Sequence, residues 1–295
     1  TLITASAIRG DSIVLFQRDG LRLTVLDLAT GRGRTNVLDQ AEWRSTHCTP
    51  SMVISEGAVC QRRAQATSRT GAFSYKYHWV PFGVDPESAA VLYEVVDDST
   101  RLLRTRGRSV WINRYMSWGQ RSARSPSHRM FAVMGQQRVG TVDTVTLRFI
   151  NLPSGIANSW TVGAPAIQPT GAERERIIDS RVRKVRDDNL MLGLPDAVPD
   201  RAAVERAFAM PSVLPAYRMF HIGDDGCAWL RRNTTEIDAD DPFEYDVFDF
   251  SGRLLESVRV ALPVRLSGVT CNYAIGILFE ESGELGLVRF SPQPQ

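Results

Sequence analysis

The sequence is almost without lysine. Lys76 and Lys184 are the only lysines among 35 basic residues, and the rest are arginine. A GC-rich genome produces such a bias, and so would a need for bidentate guanidinium contacts; the genomic reading is the simpler one. Long apolar runs are also missing: no stretch approaches the roughly 18 to 20 residues of a membrane-spanning helix. No signal segment opens the chain, which begins Thr1-Leu-Ile-Thr without a methionine. That start suggests processing, so a removed signal or anchor is an open expectation. Net charge is only +2, which gives no global pull towards nucleic acid or membrane.

Signatures of chemistry are scarce as well. There is no Gly-x-Ser-x-Gly elbow. Gly31-Arg-Gly33 is too short for a phosphate-binding loop and follows a hairpin turn. His47, His78, His128 and His221 lie far apart in sequence with no i, i+4 pair, so zinc is not expected. Asp187-Asp188 reads as a cap or turn rather than an acid and base pair. The four cysteines, Cys48, Cys60, Cys227 and Cys271, form no Cys-x-x-Cys pair, but an even count suits an exported protein. Pairing Cys48 with Cys60 and Cys227 with Cys271 keeps each bridge local; buried free thiols in strands are the alternative.

What is present is strand. The chain is 43% apolar and 23% charged, ordinary for a globular protein, and 295 residues suit one closed all-β domain. From Gly226 to Leu262, three runs rich in aromatic and branched residues are separated by turn chemistry, the pattern of an antiparallel meander. Asp249-Phe-Ser-Gly252 is its tight turn. Similar copies run from Asp11 to Gly31, from Met52 to Arg63, and from Arg129 to Val162. After Arg63 comes a long polar insertion and then a strand at Ala90-Val-Leu-Tyr-Glu-Val. Turns near Gly31, Asp98, Gly155 and Gly252 recur at one or two intervals of roughly 40 to 60 residues, a propeller-blade repeat. Six blades fit the length best, with five and seven open.

Two segments break the pattern. Ala172 to Arg186 is either a charged helix or an alternating strand. Residues 199–210 predict a short helix, capped by Asp200, stopped by Pro211, and fastened by Val204 and Phe208.

The succession of parts resembles a family. Leu214-Pro-Ala-Tyr, Gly226-Cys-Ala-Trp-Leu, Phe248-Asp-Phe-Ser-Gly-Arg-Leu-Leu, Val260-Ala-Leu-Pro and the closing Tyr273 to Phe290 are similar, in order, to uncharacterised bacterial six-bladed β-propellers related to the NHL-repeat proteins. The likeness is best over residues 129–291 and specific for fold rather than activity. It implies an exported, periplasmic or extracellular protein in one domain, 1–295. It also implies a ring closed by pairing residues 2–8 with 285–290, which would remove free edges. The cysteines depart from the family pattern.

Charge supplies the candidate sites. Nine arginines and no acid lie between Ser99 and Thr141, and seven acids and no base between Glu236 and Asp249. One reading is two solvated surfaces of opposite sign that face each other. The other is an interface patch of Arg114, Arg121, Arg124 and Arg129 with Trp111, Tyr115 and Trp118, residue types enriched at binding hot spots. Trp111 and Trp118 suit burial between blades equally well. A protein partner with an acidic surface, or anionic lipid, fits better than nucleic acid. Asp238, Asp240 and Asp241, with Glu244 and Asp246, are spaced loosely like calcium ligands, but the required glycine is missing and a solvated loop is favoured. No cofactor is expected. The function anticipated is a non-catalytic scaffold, in one version an accessory subunit on the periplasmic side of a respiratory or photosynthetic membrane complex. The rivals are a metal-dependent hydrolase or lyase at the channel mouth and a small-ligand sensor with an aromatic-lined central pocket.

Overall fold

The structure, a computed structural model, describes residues 3–9, 11–17, 22–37, 49–54, 56–64, 73–81, 89–97, 100–105, 108–113, 121–152, 154–191, 200–235, 243–260, 264–279 and 285–290. Their strands form six antiparallel sheets in chain order. The first holds β1 (Ile3–Arg9), β2 (Ser12–Gln17), β3 (Arg22–Asp27) and β4 (Gly33–Val37). The second holds β5 (Thr49–Ile54), β6 (Gly57–Ala64), β7 (Phe73–Pro81) and β8 (Val91–Asp97). A hairpin of β9 (Thr100–Thr105) and β10 (Arg108–Asn113) follows. The fourth sheet is β11 (Arg121–Arg124), β12 (Met130–Val139), β13 (Val142–Asn151) and β14 (Gly155–Pro165). The fifth is β15 (Tyr217–Ile222), β16 (Ala228–Arg232), β17 (Phe243–Phe248) and β18 (Leu254–Val260). The sixth is β19 (Val264–Val269), β20 (Ala274–Phe279) and β21 (Leu285–Phe290). First strands meet across sheets, β1 with β5, β11 with β15 and β15 with β19, so they lie innermost. The fold is an all-β propeller.

Alternation along each strand decides how the sheets stack. On β12, Met130, Ala132 and Met134 join a core with Tyr217, Phe220, Leu230 and Phe248 of the fifth sheet. Phe131 and Val133, between them, join Met52, Ile54, Val59 and Tyr77 of the second. Both faces of the fourth sheet are therefore buried. The fifth sheet repeats the device, with Trp229, Tyr245 and Val247 packed on Val264, Leu266, Val269 and Ala274 of the sixth. Trp229 is fully buried, and its indole donates to the Thr270 carbonyl at 2.9 Å.

Some expectations are altered. Residues 171–191 are a helix, α1 (Gly171–Met191), and the predicted short one is α2 (Arg201–Phe208), so the described residues hold two helices where one short helical insertion was expected. The capping box Thr170-x-x-Glu173 decides the first: Glu173 accepts from the Thr170 backbone at 2.7 Å while the Thr170 hydroxyl accepts from Glu173 at 3.3 Å. Asp200 caps α2 as expected, accepting from Ala203. The stretch taken as a polar insertion contains β7, in which Phe73, Tyr75, Tyr77 and Trp79 alternate along a strand paired to β6 and β8. The second sheet shares its core directly with the fourth, while the β9–β10 hairpin packs on α2. Residues 2–8 do not pair with 285–290 among the described residues. The innermost strand β1 is bonded to β2 along its length, and β21 is bonded to β20.

The turn at residues 249–252 is as read from sequence. Asp249 accepts from the backbones of Ser251 and Arg253 and from the Ser251 hydroxyl, which holds its carboxyl down to about 2. Gly252 has φ 85°, and a Cβ there would meet the Trp160 ring at 2.6 Å. Replacing Gly252 with Ala should therefore lower stability by about 1–3 kcal/mol, measured by urea unfolding. Glu173, bonded to Thr235 and Thr170, is likewise held at about 2. Carboxyls depressed in this way favour the fold above the ordinary carboxylate range and lose that contribution as pH falls through their folded values. Melting temperature should hold down to about pH 4.5 and fall towards pH 2, and Glu173→Gln should flatten that fall.

Candidate functional site

The innermost strands of the last three sheets enclose a cavity of ≈ 1090 Å³. One wall is Ser122 to Arg124 of β11 with the turn that follows, including His128. A second is Met219 to Ile222 of β15, including His221, and a third is Val264 and Leu266 to Val269 of β19. Arg231, Phe243 and Tyr245 close the side away from the axis. Two arginines and two histidines thus line this space, and no carboxylate does so among its described lining residues. Phe220, Phe243 and Tyr245 make it partly aromatic, the feature anticipated for a ligand-binding propeller.

Arg231 is the most constrained of these groups. Its guanidinium carbon lies 3.3 Å from the centre of the Phe243 ring, a cation–π stack. Its buried Nε has no hydrogen-bond partner, and its Nη1 reaches only the Met219 sulfur at 3.9 Å. Burial pushes its pKa down to about 10, with Arg218 adding to the fall and Tyr245 opposing it. The group stays charged at neutral pH, without a carboxylate to balance it among the described residues. Arg124, an exposed residue, is drawn down by partial burial as well.

A second cavity, of ≈ 400 Å³, lies between the fourth and fifth sheets, and Arg231 and Phe243 line it too. Its floor is a buried polar network that the sequence did not reveal. Asp246 accepts from Arg232 Nε and Nη2 at 2.9 and 2.8 Å, from Tyr217 Oη at 2.7 Å and from Ser257 Oγ at 2.6 Å. Burial first, and then Asp246, drives the Tyr217 phenol far up. Asp143, fully buried, holds Arg138 at 3.0 Å and the Ala216 amide at 2.7 Å. Asp224 accepts from Ser127, and Asp225 from the Cys271 amide at 2.8 Å. Each of these carboxylates ties one strand or sheet to another.

The expected interface patch falls largely outside the described residues. Arg114, Tyr115 and Trp118 lie outside the described residues, as do Asp238, Asp240 and Asp241. Trp111 is on β10 opposite Leu102, and Arg121 is on β11 opposite Met134. Arg124 faces the axial cavity, whereas Arg129 makes a half-exposed pair with Glu56 at 3.9 Å, a kind that contributes little. Nor do the opposite-signed runs face each other in the pairs seen: Arg138 is held by Asp143, and Asp246 by Arg232.

Cys227 and Cys271 are joined in a disulfide, with Cα atoms 5.2 Å apart, that fastens the fifth sheet to the sixth. Cys60 is disulfide-bonded too, and Cys48 lies outside the described residues. Asp225 with Cys227 and Cys271 is a compact group of metal-ligand types, but both sulfurs are committed to the bridge. The cavity residues His128 and His221, 93 positions apart by subtraction of their numbers, could have been joined only by knowing which strands are innermost.

Neither a protein-family model nor a curated protein matches the sequence. Among solved structures, a prolyl endopeptidase is similar at 10% identity and TM-score 0.36 over 97% of this chain, which spans 38% of that one. The β-propeller domain of the Trilobed protease from Pyrococcus furiosus, described as having an open velcro topology, is similar at 9% identity and TM-score 0.34, with 99% and 83% of the two chains covered. BamB from Moraxella catarrhalis is similar at 9% identity and TM-score 0.23, with 98% and 86% covered. These likenesses concern the fold alone.

Proposed function

We propose that the protein is a non-catalytic binding propeller, exported as one domain over residues 1–295 and docked on a protein partner. In its fuller form the reading is an accessory subunit on the periplasmic face of a membrane-bound assembly. One observation carries the non-catalytic part. Asp143 and Asp246, the buried carboxylates among the described residues, are spent on hydrogen bonds that brace the sheets. A general acid or a metal ligand needs an oxygen free to face substrate or ion. The bonded Cys227 and Cys271 support export, since structural disulfides persist in oxidising compartments. A rigid disc with loops at both ends suits docking. No described helix is long and apolar enough to cross a membrane, so attachment would run through the partner or the bilayer surface.

Two measurements bear on this. Asp246→Asn should cost about 2–3 kcal/mol of stability in denaturant unfolding, because it weakens charge-assisted bonds to Arg232 while leaving the fold's shape intact. Unchanged stability would show that Asp246 is not a brace and return it to the list of reactive groups. Affinity purification from gently solubilised native membranes should recover the protein with a membrane complex at fixed stoichiometry. Recovery as a free monomer would remove the subunit reading.

A further inference from the structure

We propose that Asp225, Cys227 and Cys271 form a zinc-binding site at the joint of the fifth and sixth sheets once the bridge between the two cysteines is reduced. This goes beyond docking on a partner and does not depend on it. The three residues come from two turns, 223–227 between β15 and β16 and 270–273 between β19 and β20. Their ligand atoms, two sulfurs and a carboxylate oxygen, all lie within 4.8 Å of one another. Zinc with sulfur at about 2.3 Å and oxygen at about 2.1 Å sets its ligands roughly 3.5 Å apart, a spacing that side-chain rotation can supply.

What holds this set in place is not the bridge alone. Asp225 accepts from the Cys227 amide at 3.1 Å with one oxygen and from the Cys271 amide at 2.8 Å with the other. Gly223 donates to the Cys227 carbonyl and Thr270 to the Tyr273 carbonyl, each at 2.8 Å. The Trp229 indole fixes the second turn to the fifth sheet through the Thr270 carbonyl. Asp225 is exposed, and each of its oxygens keeps a lone pair, so a cation can enter from solvent.

The donor set selects the ion. A dithiol supplies the two electrons: one of its thiolates attacks Cys271, the less buried cysteine, and Cys227 leaves as a thiolate. The second dithiol sulfur then releases Cys271 and closes the dithiol's own disulfide. Two thiolates beside Asp225 bring three negative charges together, which a divalent cation relieves. Zinc accepts thiolate and carboxylate in one site, with water in the fourth position and the two thiol protons lost to solvent. Calcium and magnesium call for oxygen ligands only. Sulfur closes the joint in the oxidised protein, and the metal closes it in the reduced one.

The test uses the whole protein, reduced with excess dithiothreitol and freed of it by gel filtration under argon. Zinc is then titrated by calorimetry and counted by metal analysis after desalting. The reduced protein should hold one zinc per chain at this site, and zinc should raise the melting temperature of the reduced form but not of the oxidised one. Cobalt(II) in its place should give a thiolate-to-metal charge-transfer band. Cys271→Ser and Asp225→Asn, reduced in the same way, should each weaken zinc by about tenfold or more, at least the cost of losing an outer-shell partner. If the reduced protein unfolds, as judged by circular dichroism, zinc should refold it. The proposal is overturned if the reduced protein neither binds zinc nor is refolded by it, if the oxidised protein binds zinc as tightly, or if both variants bind like the wild type. Recovery of the protein as a free monomer from native membranes would not affect this outcome.

Discussion

Everything in this molecule depends on sheets that are buried on both faces. The five residues Met130 to Met134 are all buried, the odd ones against one neighbouring sheet and the even ones against the other. Fully burying one such side chain is worth roughly 1.5–3 kcal/mol, apart from Ala132, which is smaller. The single strand β12 therefore commits on the order of 10 kcal/mol, similar to the whole net stability of a typical domain. A sheet of this kind has no stable existence by itself. The second, fourth, fifth and sixth sheets therefore lean on one another, each burying a face against a neighbour.

Packing alone does not fix how far one sheet slides on the next. Hydrogen bonds do, and they are drawn from sites where a buried polar atom would otherwise be orphaned. Gln136 exchanges two bonds with the Tyr217 backbone, and Asp143 reaches the Ala216 amide, both from the fourth sheet to the start of the fifth. The Trp229 indole and the Cys227–Cys271 bridge do the same from the fifth to the sixth. Acids are used up in these joints. The described lining of the cavity between the innermost strands holds no carboxylate, while Asp143 and Asp246 lie in the joints instead.

Much of this was legible in the residues. The meander after Gly226 and the turn at Gly252 follow from period-two alternation and from a residue that tolerates positive φ. Asp200 announced its helix, and Thr170-x-x-Glu173 announces the other once it is looked for. Phe73, Tyr75, Tyr77 and Trp79 alternate plainly, but the intervening Ser, Lys and His masked them as a polar stretch. What could not be read was convergence. Arg124 looked like a surface residue because its neighbours in sequence are arginines, and Asp246 looked like part of an acidic loop for the same reason. Their real surroundings are set by other strands, for Arg124 ones about 100 residues away in β15 and for Asp246 the nearer β15, β16 and β18, which composition does not record.

Arg231 and Phe243 stand in the partition between two chambers, one on the axis and one between the fourth and fifth sheets. A guest that pulled the guanidinium off its ring would enlarge one chamber and reshape the other in the same movement. The stack of one side chain on the other is a wall held in common, so a change in it would be felt on both sides.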